Sequence, residues 1–255
     1  MGERGPHLFD SYSEIFEERG QLYHQAMVEQ PRARDQEFEN IVASARLAAG
    51  QRVCDTPSGG GYLGAYAPSG VRLVSLETSS VFAHLARGNA APDPLLATLE
   101  RLPFRDACLD RVVSAAALHH VAEKDAFHRE AARVLVPGGA LCVADVPAGS
   151  AVSEFLDVFV DGHSRMGHAG MYLGEGYERL LEDAGLRVEQ AEPIPFVWTF
   201  DAPESMARFA QLLFGVDRAS LDEVRDGIER HVGWERVPGG CEMQWELAFY
   251  RAVKP

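Results

Sequence analysis

Arg52-Val53-Cys54-Asp55-Thr56-Pro57-Ser58-Gly59-Gly60-Gly61-Tyr62-Leu63 runs from a short apolar strand into a glycine-rich turn. Glycines in such a turn let the backbone approach a ligand closely and aim its N–H groups at an anion. Read literally, Gly59-Gly60-Gly61-Tyr62-Leu63-Gly64 satisfies the dinucleotide pattern GxGxxG, so a nicotinamide-binding protein is one alternative. Glu77 closes the next apolar run, Val71–Glu77, 22 positions after Asp55. A carboxylate at that place can accept both hydroxyls of a ribose.

Working outward, short apolar runs alternate with helical spacings. Leu95–Leu99 reads as a third strand and Arg111–Ala115 as a fourth, with a helix over about 124–135. Pro137-Gly138-Gly139 then turns into a fifth strand, Ala140–Val146. This alternation predicts parallel βαβ units, with helices on both faces of the sheet. Ligands bind beyond the C-terminal ends of such strands. The rule selects Thr56–Gly61, Glu77, Thr98–Leu99, Ser114–His120 and Asp145–Val146.

Residues 1–49 read as helical cover. Phe9, Tyr12, Ile15 and Phe16 recur at helical spacing, as do Phe38, Ile41, Val42, Ala45 and Leu47, and Gly50 is the expected stop. Residues 50–255 read as the ligand-binding domain. Gly174–Ala184 is an expected helix and Leu186–Pro195 a strand; Phe196–Gly240 is helical again, with Met206, Phe209, Leu212, Leu213 and Phe214 on one face. Met243–Val253 is the expected last strand. Connections of this length predict helical lids at about 147–172 and 196–240.

Composition narrows the function. With 24 Lys+Arg against 38 Asp+Glu the net charge is −14, which excludes unspecific nucleic-acid binding and docking on an anionic membrane. No apolar run approaches the roughly 20 residues that span a bilayer, and the first six residues lack the apolar core of a signal peptide. The expectation is a cytoplasmic protein. Cys54, Cys108, Cys142 and Cys241 form no CxxC and read as buried thiols; no metal site is expected.

Further blocks follow in order. Leu102-Pro103-Phe104-Arg105-Asp106-Ala107-Cys108-Leu109-Asp110-Arg111-Val112-Val113, Leu118-His119-His120-Val121, Arg133-Val134-Leu135-Val136-Pro137-Gly138-Gly139 and Glu182-Asp183-Ala184-Gly185-Leu186 succeed the glycine turn and Glu77. Together they resemble the class I S-adenosylmethionine (SAM) methyltransferases, especially the small-molecule branch that includes ubiquinone and menaquinone methyltransferases. The resemblance covers about residues 50–195 and counts against the nicotinamide reading. It implies a Rossmann-like, seven-stranded, mostly parallel sheet with an antiparallel last strand. It implies SAM as cofactor, its methionine end over Asp55, Pro57, Gly59 and Gly61 and its ribose on Glu77 beside Thr78. The adenine is expected near Thr98 and Leu99, and the sulfonium near Ser114 and His119. Two departures stand out: Pro57 replaces the family's first glycine, and Thr98 stands where many relatives carry an acid.

Methyl transfer needs positioning above all, and a base only when the acceptor must lose a proton. His120 and His163 are the candidate bases. Tyr12 and Tyr23 on the N-terminal helices, and His168 in the first lid, are the candidate acceptor contacts. Asp161, His163, Arg165 and His168 together could anchor an anionic or phenolic acceptor. The expected partner is a small-molecule acceptor, with no nucleic acid and no membrane; a homodimer is compatible with the sequence. The alternative function is a protein of this fold that binds SAM or another ligand without transferring methyl.

Overall fold

The computed structural model describes residues 12–87 and 93–255. The N-terminal periodicity resolves into α1 (Tyr12–Glu29) and α2 (Asp35–Ala45), while Phe9 lies outside the described residues. Helix α2 stops earlier than expected, because Arg46 adopts a left-handed backbone with φ of 50°. Gly50 instead serves the turn before the first strand, donating its N–H to Gly70 at 2.8 Å.

The sheet contains β1 (Arg52–Asp55), β2 (Arg72–Glu77), β3 (Leu95–Leu96), β4 (Leu109–Ala115), β5 (Leu135–Asp145), β6 (Arg187–Phe200), β7 (Trp234–Val237) and β8 (Gly240–Val253). Its order is β3-β2-β1-β4-β5-β8-β6, with β8 antiparallel to both of its neighbours and the pairs from β3 to β5 parallel. Seven strands match the expectation. The eighth, β7, pairs with β8 inside the span read as helical. Pro238-Gly239 supplies its turn, Gly239 taking φ of 93° as the third residue of a tight turn requires.

Strand β6 also runs to Phe200 rather than ending at Pro195. Pro193 and Pro195 break no ladder there, because β6 is the sheet edge and pairs only with β8. The second lid therefore begins at about residue 201. It holds α8 (Pro203–Phe214) and α9 (Leu221–His231), the latter opened by a Ser220/Glu223 capping box. The five apolar α8 residues named above are all buried.

Both faces of the sheet are covered. Along β5, Ala140, Cys142 and Ala144 join the core under α2, α8 and α9, while Leu141 and Val143 join the core under α4 (Lys124–Val134) and α7 (Tyr177–Asp183). Helix α3 (Ser80–Ala86) follows β2 directly, its first turn capped by the Ser79 hydroxyl. In the first lid, α5 (Ala151–Glu154), a π-helical stretch Phe155–Val160 and α6 (Asp161–His163) follow one another without a break.

Candidate functional site

The C-terminal ends of β1, β2, β4 and β5 converge on two adjoining cavities. One, a partly open cleft, lies over the glycine turn between Asp55, Ser58, Gly59 and Ala115–Ala117. Gly59 (φ 55°) donates its N–H to Glu77 Oε2 at 2.7 Å, and Gly61 (φ 75°) turns its N–H back to Ser58 O at 3.0 Å. Gly61 thus shapes the turn without presenting a donor to the cavity. Pro57 lines the cavity, joined to Thr56 by a cis peptide.

Among the described residues the hydroxyls of Thr56, Ser58, Thr78 and Ser114 are buried without a hydrogen-bond partner, that of Ser58 in this cavity. Such groups cost free energy until something completes them. Asp55 is only 3% exposed. Burial, reinforced by the charge of Glu77, pushes its pKa up to about 8, and no donor among the described residues offsets this.

Glu77 is fully buried and engaged on every side. Oε1 accepts from the N–H groups of Thr78 (2.8 Å) and Ser79 (3.0 Å), and Oε2 from Gly59 and the Tyr12 hydroxyl (3.3 Å). Burial raises its pKa to about 7, the backbone donors holding it below what burial alone would give. A further cavity beyond Tyr12 is lined by Thr78, Thr98, Leu99 and His120. Tyr12 borders this space and the one over the glycine turn.

The second adjoining cavity opens from Ala116 toward the lids. Its walls are aromatic: Phe16, Tyr23, Trp198, Phe214 and Trp245, with the two indoles stacked at 4.3 Å. Its charged floor is an ion pair between Arg34 and Glu37, both nearly inaccessible. Glu37 also accepts from Trp198 Nε1 at 2.9 Å, and Arg34 donates to the Tyr23 hydroxyl. Arg19 lines the same cavity. Its Nη2 donates to Leu213 O at 2.6 Å, its Nε has no partner, and burial lowers its pKa to about 10.

Three histidines form the remaining wall. His119 and His120 end a 3-10 turn, Leu118–His120, and His168 comes from the first lid. His119 is fixed by Asp145, whose Oδ1 meets its Nδ1 at 2.6 Å and whose Oδ2 accepts its backbone N–H at 3.0 Å. His168 Nδ1 lies 3.4 Å from Asp157 and 3.3 Å from the Tyr172 hydroxyl. Burial, and then the neighbouring His119, His168, Arg19 and Lys124, hold His120 well below the ordinary histidine range.

His163 is not part of this wall. It stacks on Phe159 at 4.4 Å, one helical turn earlier, and its Nδ1 donates to Phe159 O at 2.8 Å. Arg165 likewise points outward, 3.5 Å from Asp217. Of the polar lid loop, His168 reaches the cavity, and the cation there is Arg19 instead. Tyr23 and His119 line the aromatic cavity, Tyr12 lines the glycine-turn cavity and the one beyond it, and Thr98 and Leu99 line that further cavity. Arg19, Arg34, Glu37, Trp198 and Trp245 were not anticipated.

Residues 56–143 match a family model described as a methyltransferase domain. The methyltransferase GfsG of Streptomyces halstedii is 27% identical over 158 residues, 58% of this chain and 57% of that protein. A ubiquinone/menaquinone biosynthesis C-methyltransferase, UbiE of Xylella fastidiosa, is 31% identical over 135 residues, 49% of this chain and 53% of that protein. The chain thus spans little more than half the length of these relatives. Among solved structures, a putative methyltransferase from Bacillus halodurans superposes with a TM-score of 0.62 at 20% identity, over 86% of this chain and 99% of that one. The [4+2]-cyclase SpnF superposes with a TM-score of 0.65 at 17% identity, over 100% of this chain and 99% of that one. At such identities the likeness shows the fold. Among the described residues no helix is long and apolar enough to cross a membrane.

Proposed function

We propose that this chain is a class I SAM-dependent methyltransferase and that it methylates a small molecule with an aromatic or apolar body and an anionic group. The observation that carries this reading is Arg19. It is a buried guanidinium with an unpartnered Nε, and among the described residues no carboxylate offsets it. A buried cation is costly unless paired, so an anion in the aromatic cavity relieves it.

The polar atoms over the glycine turn fit the cofactor. Among the described residues Asp55 has no donor, and the hydroxyls of Ser58 in that cavity and Thr78 in the next lack partners. They would take the methionine and ribose ends, while Thr98 and Leu99 line the space for adenine. Glu77 fits the ribose once the Tyr12 hydroxyl gives way, since its other three donors are backbone N–H groups. SAM supplies an electrophilic methyl on a sulfonium. The chain's own part is to orient the acceptor: Trp198, Trp245 and Phe214 hold its body, Arg19 its charge, and His120 faces it.

The test is calorimetry with SAM, then transfer of labelled methyl to a panel of phenols, aromatic carboxylates and their neutral analogues. Binding with transfer to an anionic member is expected. No SAM binding overturns the reading. Tight binding with no labelled product favours the second reading, a non-methylating protein of this fold. The closed state of Glu77 supports that alternative, and a fold shared with a cyclase does not fix the reaction.

A further inference from the structure

We propose that His119, His120 and His168 hold a divalent transition-metal ion whose open coordination position faces the aromatic cavity and takes an anionic oxygen of the acceptor. The inference deepens the acceptor reading and rests on it only for the identity of the exogenous ligand.

The ligand atoms of these three buried histidines all lie within 4.8 Å of one another. Nitrogen-only donors select zinc, cobalt, iron or nickel over magnesium and calcium. Three protein ligands leave one position open, as in metal sites that bind a substrate or water.

The surroundings are those of a metal site. Asp145 Oδ1 at 2.6 Å requires a proton on His119 Nδ1, which leaves Nε2 with its lone pair free. Asp157 is placed in the same sense toward His168, and it also accepts from Tyr172 at 2.6 Å. A carboxylate behind a ligating histidine fixes its tautomer and raises its basicity. The ring of His120 makes no hydrogen bond with the described residues; it meets Phe16 edge-on at 5.7 Å and His119 at 4.0 Å. Binding one ion with bonds of about 2.0–2.1 Å would draw these nitrogens closer together than they stand.

The charges also balance. A dication beside Arg19 brings three positive charges, which Asp145, Asp157 and an anionic acceptor would offset. The three rings face one another across this cavity, His168 meeting His119 at 5.7 Å and His120 at 5.3 Å.

Co²⁺ titrated into the untagged full chain is the test, with its visible d–d absorption as readout. One Co²⁺ per chain, with the intense bands of a four- or five-coordinate nitrogen site and displacement by Zn²⁺, is the expected result. His168→Ala, His168→Gln and a His120→Ala/His168→Ala double variant should weaken binding at least tenfold, their folding checked by circular dichroism. Absence of the bands in the wild-type chain overturns the proposal, as does their persistence in the double variant. Neither readout involves methyl transfer. A chain that binds Co²⁺ but methylates nothing keeps the metal site and loses the activity, and one that methylates without the bands does the reverse.

Discussion

Asp55 links cofactor binding to pH, and the size of the effect follows from its surroundings. Burial and the nearby Glu77 charge raise its pKa to about 8 in the ligand-free protein. A ligand that brings a cation to this carboxylate stabilises its ionised form, so binding expels the proton. At pH 7 a group with a pKa near 8 is about nine-tenths protonated, so about 0.9 proton should leave per SAM bound. Each pH unit below 8 should then weaken binding by up to tenfold, or about 1.4 kcal/mol. At pH 6 the dissociation constant should be about a hundredfold above its limiting value, and above pH 8 loss of the ligand's own ammonium charge should weaken binding again. Calorimetry at pH 7 in buffers of different ionisation enthalpy counts the proton directly. Asp55→Asn should lower the release to the share of Glu77, itself raised to about 7, and make the profile between pH 6 and 8 shallower. A proton count near zero in the wild-type chain, with affinity constant from pH 6 to 8, would refute the reasoning.

The same carboxylate predicts the stability of the ligand-free protein. A folded pKa raised above the unfolded one means the folded state binds the extra proton, so stability is lost progressively from about pH 4 to about pH 8. Thermal melting of the wild-type chain should therefore fall over that window more steeply than that of Asp55→Asn. Arg19→Met should raise KM for an anionic acceptor by about ten- to a hundredfold, the worth of one or two charged hydrogen bonds, and leave SAM affinity unchanged. A loss confined to kcat would place the anion elsewhere. Glu37→Gln strands Arg34 in the cavity floor and should cost about 3–5 kcal/mol of stability in denaturant unfolding. Tyr12→Phe removes the donor that occupies Glu77 and should tighten SAM binding; weaker binding would mean the hydroxyl contributes to the ligand's contacts instead.

What could be read from the chain was whatever depends on local order. The glycine turn, Glu77 and the Leu118–His120 turn are short contiguous signals, and each lies at a strand end as parallel topology requires. The edge position of β6 was not legible, because Pro193 and Pro195 end a strand by local rules, and only the sheet order shows that nothing pairs outside them. The helical reading of 196–240 failed at Trp234–Val237 for the opposite reason: the Pro238-Gly239 turn signal was present but outweighed by the apolar spacing before it. His163 was misplaced although a local signal existed. Phe159 and His163 are four apart on one helix, which stacks them together and turns the imidazole away from the cavity. The partners that give the site its character had no such signal. Arg34 and Glu37 meet Trp198 across 161 positions from Glu37, and Asp145 meets His119 across 26. Pairings at that separation are set by the fold.

The arrangement of α1 has a consequence for how the two ligands meet. Tyr12, Phe16, Arg19 and Tyr23 lie at helical spacing on one face, and that face spans both cavities. Tyr12 holds Glu77, Arg19 reaches Leu213 of α8, and Phe16 packs between Phe82 at 4.8 Å and His120 at 5.7 Å. A ribose that displaces the Tyr12 hydroxyl therefore pushes on the helix that carries the anion-binding guanidinium, less than two turns further along. On the proposed function, cofactor and acceptor would both bear on this one helix. The direction of any resulting coupling depends on whether α1, once released from Glu77, leaves Arg19 facing the cavity; its bond to Leu213 O anchors it to the lid rather than to the sheet, so the guanidinium and the aromatic lid move together. On the proposed function the lid and α1 would form one side of the acceptor site, and the glycine turn and Glu77 would hold the cofactor on the other.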